Sequence, residues 1–421
     1  MSVADPHTAE YRCPGQPYPI SRSVHLGRMA RFYPGCRQCP HRDETGPLSR
    51  RQIAQLVETR PRGSPATLFH DEGTEGVYGN DLGPDAAREM AAALGTGLRG
   101  CFAGKHQPPQ RAPQVVIAGD GRPLSCELVA AAAEGLRWAG CDVTDVGVAS
   151  APCLAFAIEH LGADGGLLVG NRDGRPHTVG LKFWAGPRPL SAQGPLDLLR
   201  ETHRAGVDRP TRRFGSLRRF RAEEPYVASL AEHYHALRPL RFVLDSSCGP
   251  LSRFLERLLR PVACRVIPSR EAEGRLPEQV VADGAHFAIR IGDDGETCGL
   301  FDEQGRRVAV ERLLLRVAGH LVTERSPQTV VLETGTDLAT ARRIEALGGQ
   351  VARADTRRAA MERAMREQGA IFGGGPSGRF WYADGGLALP DALRTLTLLL
   401  VVLSQSDRRL SEVLDGASAA G

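Results

Sequence analysis

Lysine is almost missing from this chain. Of 53 basic residues only two, Lys105 and Lys182, are lysines, so nearly every positive charge is an arginine guanidinium. The arginines are spread along the sequence and the net charge is only +4, which argues against a nucleic-acid-binding surface. No apolar run reaches the length of a membrane span: the longest, Leu393 to Leu403, is interrupted by Arg394 and too short to cross a bilayer. The opening MSVADPHTAE lacks the basic-then-apolar order of a secretory signal. The ten cysteines show no regular pairing and read as reduced residues of a cytoplasmic protein rather than a disulfide framework. What remains, 42% hydrophobic and 24% charged residues over 421 positions, is the balance of a globular protein of two to four domains.

Residues 1–63 form a segment of their own. Cys13, His25, Cys36, Cys39 and His41 lie among prolines, glycines and arginines, ahead of the amphipathic helical pattern LSRRQIAQLVETR. One C-x-x-C with a distant cysteine and nearby histidines has the shape of a structural zinc knuckle, in which thiolates and an imidazole hold a tetrahedral ion. An extended arm with incidental cysteines fits the same residues, and such an arm is also a candidate docking point for a protein partner. A redox pair is disfavoured, because no strand leads into the C-x-x-C.

From Thr67 the pattern becomes α/β. A helix over Asp85–Leu98 precedes a strand at Val115–Ala118, a helix at Glu127–Ala139, a strand at Cys141–Val148, a helix at Ala151–Leu161 and a strand at Gly166–Val169. This β-α-β-α-β run predicts a parallel sheet covered by helices. Its last strand empties into a polar loop within Gly165–Trp184, GGLLVGNRDGRPHTVGLKFW. Loops at strand ends are where α/β proteins keep their chemistry.

That stretch resembles the active-serine loop of the α-D-phosphohexomutases, the phosphoglucomutase and phosphomannomutase superfamily. There, GG, three apolar residues, T-A-S-H-N-P and a closing G-[IL]-K stand at the same spacing. Further resemblances follow in the family's order. LFHDEGTEGVYG matches F-G-T-x-G-[IV]-R-G at Gly73, Thr74, Gly76 and Gly79, and Asp120 with Arg122 matches G-x-D-x-R. RIGDDGETCGLFDEQGRRV resembles the metal loop D-G-D-[AG]-D-R and its hairpin D-E-x-G-R, and GGGPSGR resembles the sugar loop G-G-E-x-S-G-H. The resemblance implies three consecutive α/β/α domains, expected at 64–210, 211–325 and 326–421, with Glu201–Arg221 as a linker. No segment resembles the family's fourth domain and its R-x-S-G-T phosphate clamp.

The departures fall on the chemistry. The family's phosphoserine position is Arg172 and the next is Asp173; no serine lies between Gly165 and Trp184, and Thr178 is the loop's one hydroxyl. A guanidinium cannot carry a phosphoryl group. The three metal aspartates are Gly292, Asp294 and Glu296, with Asp293 beside them and Thr297 at the arginine position, so a magnesium site there is degenerate. The sugar glutamate and histidine are Gly375 and Arg379. Arg172, Asp173, Lys182, Ser377 and Arg379 are the candidate contacts to a phosphorylated sugar or similar anion, and Arg172, Asp294 and the Gly373–Arg379 loop are expected to line one cleft. These features predict a phosphohexomutase-like protein without phosphoserine chemistry, with Arg172 bridging to Asp294 or Glu296 in place of the metal. The alternatives are an active phosphosugar mutase with an altered site and a scaffold that docks through residues 1–63.

Overall fold

The structure, a computed structural model, describes residues 11–13, 17–31, 33, 35–36, 39–58, 68–79, 81–100, 111–170, 178–207, 209, 211–232, 234, 237–246, 248–270, 275–325, 328–384 and 387–419. Arg172 and Asp173, with the expected Arg172 bridge, lie outside them.

The N-terminal segment holds two short helices, α1 (Arg22–Ala30) and α2 (Arg50–Glu58). Ser21 caps α1, its hydroxyl accepting from the Val24 amide, which satisfies one of the donors a helix start leaves open. Met29, Cys36 and Leu56 make a small core with Tyr33 and Leu48 against it. His25 is buried, stacked on Tyr11 at 4.3 Å and edge-on to His41, and His41 Nδ1 is 2.8 Å from Glu44. Among the described residues no group of three or more His, Cys, Asp and Glu side chains is placed to hold a metal. Zinc held by Cys13, Cys36, Cys39 and His25 or His41 therefore finds no support: Cys36 is drawn into apolar packing, and His41 is turned to a carboxylate.

Three sheets follow in chain order. The first is built from β1 (Phe69–His70), β2 (Gly73–Val77), β3 (Gln114–Gly119), β4 (Asp142–Val148), β5 (Gly165–Gly170), β6 (Thr178–Ala185), β7 (Arg188–Pro189) and β8 (Leu217–Arg219). Its order is β1-β2-β6-β5-β3-β4-β8, with β7 paired to β6. The strands β5, β3, β4 and β8 are parallel neighbours, and β6 runs antiparallel to both β5 and β2. Four helices cover it: α3 (Pro84–Arg99), α4 (Pro123–Trp138), α5 (Ala151–His160) and α6 (Pro195–Ala205), each with proline in its first turn, where the missing N–H costs nothing. The stretch expected as a linker, Glu201–Arg221, instead ends α6 and supplies β8, which pairs with β4 beyond residue 210. A strand of three exposed residues, Leu217, Arg218 and Arg219, is too short to carry an alternating pattern for a sequence to reveal.

The second unit contains α7 (Glu223–Ala231), β9 (Arg241–Ser246), α8 (Leu251–Leu259), β10 (Arg265–Pro268), α9 (Leu276–Ala282), β11 (Phe287–Ile291) and β12 (Cys298–Phe301), with sheet order β10-β9-β11-β12. The third contains α10 (Val310–Arg325), β13 (Gln328–Glu333), α11 (Leu338–Ala346), β14 (Gly349–Ala354), α12 (Arg358–Glu367), β15 (Phe372–Gly374), β16 (Phe380–Asp384), β17 (Leu387–Pro390), α13 (Ala392–Ser404) and α14 (Leu410–Ala419), with order β14-β13-β15-β16-β17. Although α10 precedes the expected boundary at 325/326, it packs on α14, α11, β13 and β15.

One apolar cluster runs through all three units, from Val116 and Leu154 through Phe242 and Leu258 to Phe372 and Leu414. Each such side chain contributes about 1.5–3 kcal/mol by leaving water, so burial across the boundaries fuses the units. Among the described residues no helix is long and apolar enough to cross a membrane. The described cysteines are free, and all but Cys126 are buried.

Candidate functional site

The loops that matter leave the carboxyl ends of parallel strands, where α/β folds place their ligands. The chain segment after β5 lies outside the described residues; the loop after β11 carries Asp293, Asp294 and Glu296, and the loop after β15 carries Gly375, Ser377 and Arg379. The last two loops meet through main chain: the Cys298 amide donates to the Gly378 carbonyl at 2.9 Å, and Thr297 bridges Arg379. Gly378 sits at φ +76, and a Cβ there would be 3.0 Å from the Cys298 carbonyl oxygen, so the crossing requires glycine.

Lys182 comes to this junction from β6. Beside it, Gly73 of β2 has φ +146 and lies so close to β6 that a Cβ would be 2.3 Å from the Leu181 carbonyl oxygen. That approach delivers Glu72 to the same place. The buried Lys182 ammonium donates to Asp294 Oδ2 and lies 3.5 Å from Glu296 Oε2, and the Glu296 amide donates to Asp294 Oδ1 at 3.0 Å. Glu296 also meets Arg358 Nη1 at 3.1 Å and Arg379 Nε at 3.4 Å. Arg379 grips Glu72 with both terminal nitrogens, at 3.0 and 2.7 Å, a fork-on-carboxylate pairing. Arg358 donates its amide to Glu72 Oε1 at 2.9 Å and Nη2–H to the Glu72 carbonyl at 2.8 Å, and its guanidinium lies 5.1 Å from the Trp184 ring.

Among the described residues the result is a set of three cations and three carboxylates in mutual contact, two residues from each unit. Glu72, Lys182, Glu296 and Arg358 are buried; Asp294 and Arg379 lie at the rim with side chains 10% and 14% exposed. Burial pushes the Asp294 carboxyl up, but the Lys182 cation against it outweighs this and leaves it at about 2. Burial likewise raises Glu72, and Arg358 and Arg379 bring it down to about 2. For Arg379, burial works against the cation, yet Glu296 and Glu72 hold it more firmly protonated than usual.

Of the five candidate sugar contacts, three are described and each is already engaged. Lys182 and Arg379 belong to the ion-pair set. Ser377 donates its hydroxyl to Glu333, and its amide donates to Glu333 Oε2 at 2.9 Å. Glu333 fills the space a side chain at Gly375 would need: a Cβ at 375 would be 2.6 Å from Glu333 Cβ. Thr178 is buried at the start of β6, out of reach as a phosphoryl acceptor. Asp294 and Glu296 have their counter-charge, but from Lys182, Arg358 and Arg379.

The residues that sequence reasoning passed over are Glu72 and Arg358. Glu72 had a signal: it stands at the phenylalanine of F-G-T, a charge where the pattern is aromatic, just as Arg379 stands at the histidine of the sugar loop. The two departures make one ion pair. Arg358 had no signal beyond opening a helix.

The family profile for phosphoglucomutase/phosphomannomutase alpha/beta/alpha domain I matches residues 66–192, and that for alpha/beta/alpha domain III matches residues 311–419, together more than half of the chain. The chain belongs to the α-D-phosphohexomutase superfamily. Among curated relatives, a probable phosphoglucosamine mutase of Pyrococcus abyssi is 27% identical over 354 residues, 80% of this chain and 76% of the relative. The phosphomannomutase/phosphoglucomutase of Pseudomonas aeruginosa is 24% identical over 82% of this chain and 75% of its own. Two solved structures share the fold. One is a phosphoglucomutase/phosphomannomutase family protein of Burkholderia thailandensis, with TM-score 0.75, 24% identity and coverage of 84% of this chain and 80% of that one. The other is a putative phosphomannomutase of Thermus thermophilus, with TM-score 0.72, 20% identity and coverage of 86% and 84%.

The divalent cation that membership in this superfamily implies does not fit the residues present. Gly292 offers no side-chain oxygen, and Asp294 and Glu296 are in contact with cations of the protein itself. A magnesium ion needs several hard oxygens in near-octahedral array.

Proposed function

We propose that this phosphohexomutase-fold protein binds a phosphorylated sugar or similar small anion without passing a phosphoryl group through a serine. The observation that carries the loss of phosphoryl transfer is the set of charge pairs: Asp294 and Glu296, the carboxylates left at the metal positions, are paired with Lys182, Arg358 and Arg379. The absence of a serine between Gly165 and Trp184 and the burial of Thr178 support it. A nucleophile and its electrostatic support act as a unit, so losing the carrier costs several orders of magnitude in rate. The ligand class is supported by the relatives, which carry phosphoglucosamine mutase and phosphomannomutase names. The same names favour a second reading, an active phosphosugar mutase with a rearranged centre.

One experiment separates the two. Purified protein is incubated with glucose, mannose and glucosamine phosphates and a labelled hexose bisphosphate; turnover, label on the protein and melting temperature are followed together. The first reading expects no turnover and no label, with stabilisation by one class of hexose phosphate, worth about 2.7 kcal/mol at a hundredfold excess over Kd. Turnover with label on residues 165–184 would establish the second.

A further inference from the structure

We propose that Lys182 is the resident cation of the superfamily's metal position, so that this centre is built to exclude a divalent ion and to tie the three units together instead. The proposal rests on the fold assignment and not on the ligand reading above.

Three observations converge. The first is occupancy. Lys182 touches Asp294 and lies 3.5 Å from Glu296, the two carboxylates left at the metal positions. The other Asp294 oxygen accepts the Glu296 amide, and Glu296 meets both Arg358 and Arg379. Asp293, the remaining carboxylate of the loop, has interactions of its own. A divalent ion would have to displace an ammonium and lie among two guanidinium groups.

The second is charge. Glu72, Asp294 and Glu296 balance Lys182, Arg358 and Arg379 one for one, in a setting where an uncompensated charge is costly. Inserting a double positive charge would unbalance the set, whereas a single compact ammonium leaves it neutral. A guanidinium is planar and broad, an ammonium is a point charge; Lys182 is the lysine of the superfamily's closing G-[IL]-K, here in contact with the carboxylate of Asp294.

The third is the Glu72–Arg379 pair. Both residues depart from the superfamily pattern, and together they form a two-pronged contact at 3.0 and 2.7 Å that joins the first unit to the third, while Lys182 and Arg358 join each of these to the second through Glu296.

The test uses manganese as the probe, read by electron paramagnetic resonance, with melting temperature as a second readout. Wild-type protein is expected to bind no manganese that Asp294→Asn removes, and to melt at the same temperature in magnesium and in EDTA. Lys182→Ala deletes the ammonium and leaves Asp294 without its cation, Glu296 keeping Arg358 and Arg379; it is expected to bind manganese at least tenfold more tightly than wild type and to gain a melting temperature that rises with magnesium. One manganese per wild-type chain, lost in Asp294→Asn, would overturn the proposal, as would a folded Lys182→Ala protein indifferent to both ions. If Lys182→Ala does not fold, the wild-type and Asp294→Asn measurements decide alone. None of these readouts is turnover, so they stand whichever way the mutase assay falls.

Discussion

Replacing Glu72 with glutamine is the sharpest test of the ion-pair set. Glu72 is buried and accepts from both terminal nitrogens of Arg379 and from the Arg358 amide. Glutamine keeps the shape but removes the charge and turns one acceptor into a donor facing a guanidinium. Breaking one partner out of a buried pair costs about 3–5 kcal/mol. The depression of the Glu72 carboxyl from 4.5 to about 2 gives a similar figure, roughly 3 kcal/mol at neutral pH.

The sign is fixed by the direction of that shift. A carboxyl that binds its proton less readily when folded stabilises the fold above its unfolded pKa, and this stability is lost as pH falls through the folded one. The difference between wild type and Glu72→Gln should therefore be full at neutral pH, fall to about 2 kcal/mol near pH 3.5 and keep shrinking below it. Urea unfolding of both proteins at neutral pH and near pH 3.5 measures it. A difference below about 1 kcal/mol at neutral pH, or one that does not change with pH, would refute the reasoning, since a merely steric role has no pH dependence.

Other consequences follow from single contacts. In α4, a Gly135→Ala change should raise helix propensity by about 1 kcal/mol. Its Cβ would nonetheless be 2.1 Å from the Arg88 carbonyl oxygen, so the melting temperature should fall; a rise would show that α3 and α4 do not pack this closely. Tyr226→Phe removes the hydroxyl that donates to buried Asp391 at 2.8 Å across the second and third units, and should cost about 1–3 kcal/mol in urea unfolding; no loss would show that Asp391 is satisfied without it. Gly375→Glu restores the superfamily's glutamate but collides with Glu333, so it should destabilise alone and recover in part when combined with Glu333→Gly. Simple additivity in that double-mutant cycle would show that the two residues do not share the space.

Much of the architecture was legible in the chain itself. Apolar strands with amphipathic helices between them showed the β-α-β-α-β run of the first unit, and the resemblance to the superfamily implied three α/β units in order. The resemblance also implied that the loops of Asp294 and of Gly373–Arg379 share a centre, where the main-chain contact of Gly378 with Cys298 joins them. The strand β8 was not legible, because a three-residue exposed edge has no period, nor was the attachment of α10, because a helix's apolar face does not say which sheet will cover it.

The charges at the centre mark the limit. Set against the superfamily pattern, the sequence by itself determined that the phosphoserine position is an arginine, that one metal aspartate is a glycine, and that an arginine stands at the histidine of the sugar loop. It could count cations and anions but not pair them: Arg172, expected to bridge to Asp294 or Glu296, lies outside the described residues, and among those described the ammonium of Lys182 meets Asp294. Pairing was decided only when strands β2 and β6, the loop after β11 and the loop after β15 were brought within a few ångströms by apolar packing between the units. Electrostatic energy depends on the distance between groups, and the distance between Glu72 and Arg379 is set by the fold rather than by the 307 residues of chain that separate them.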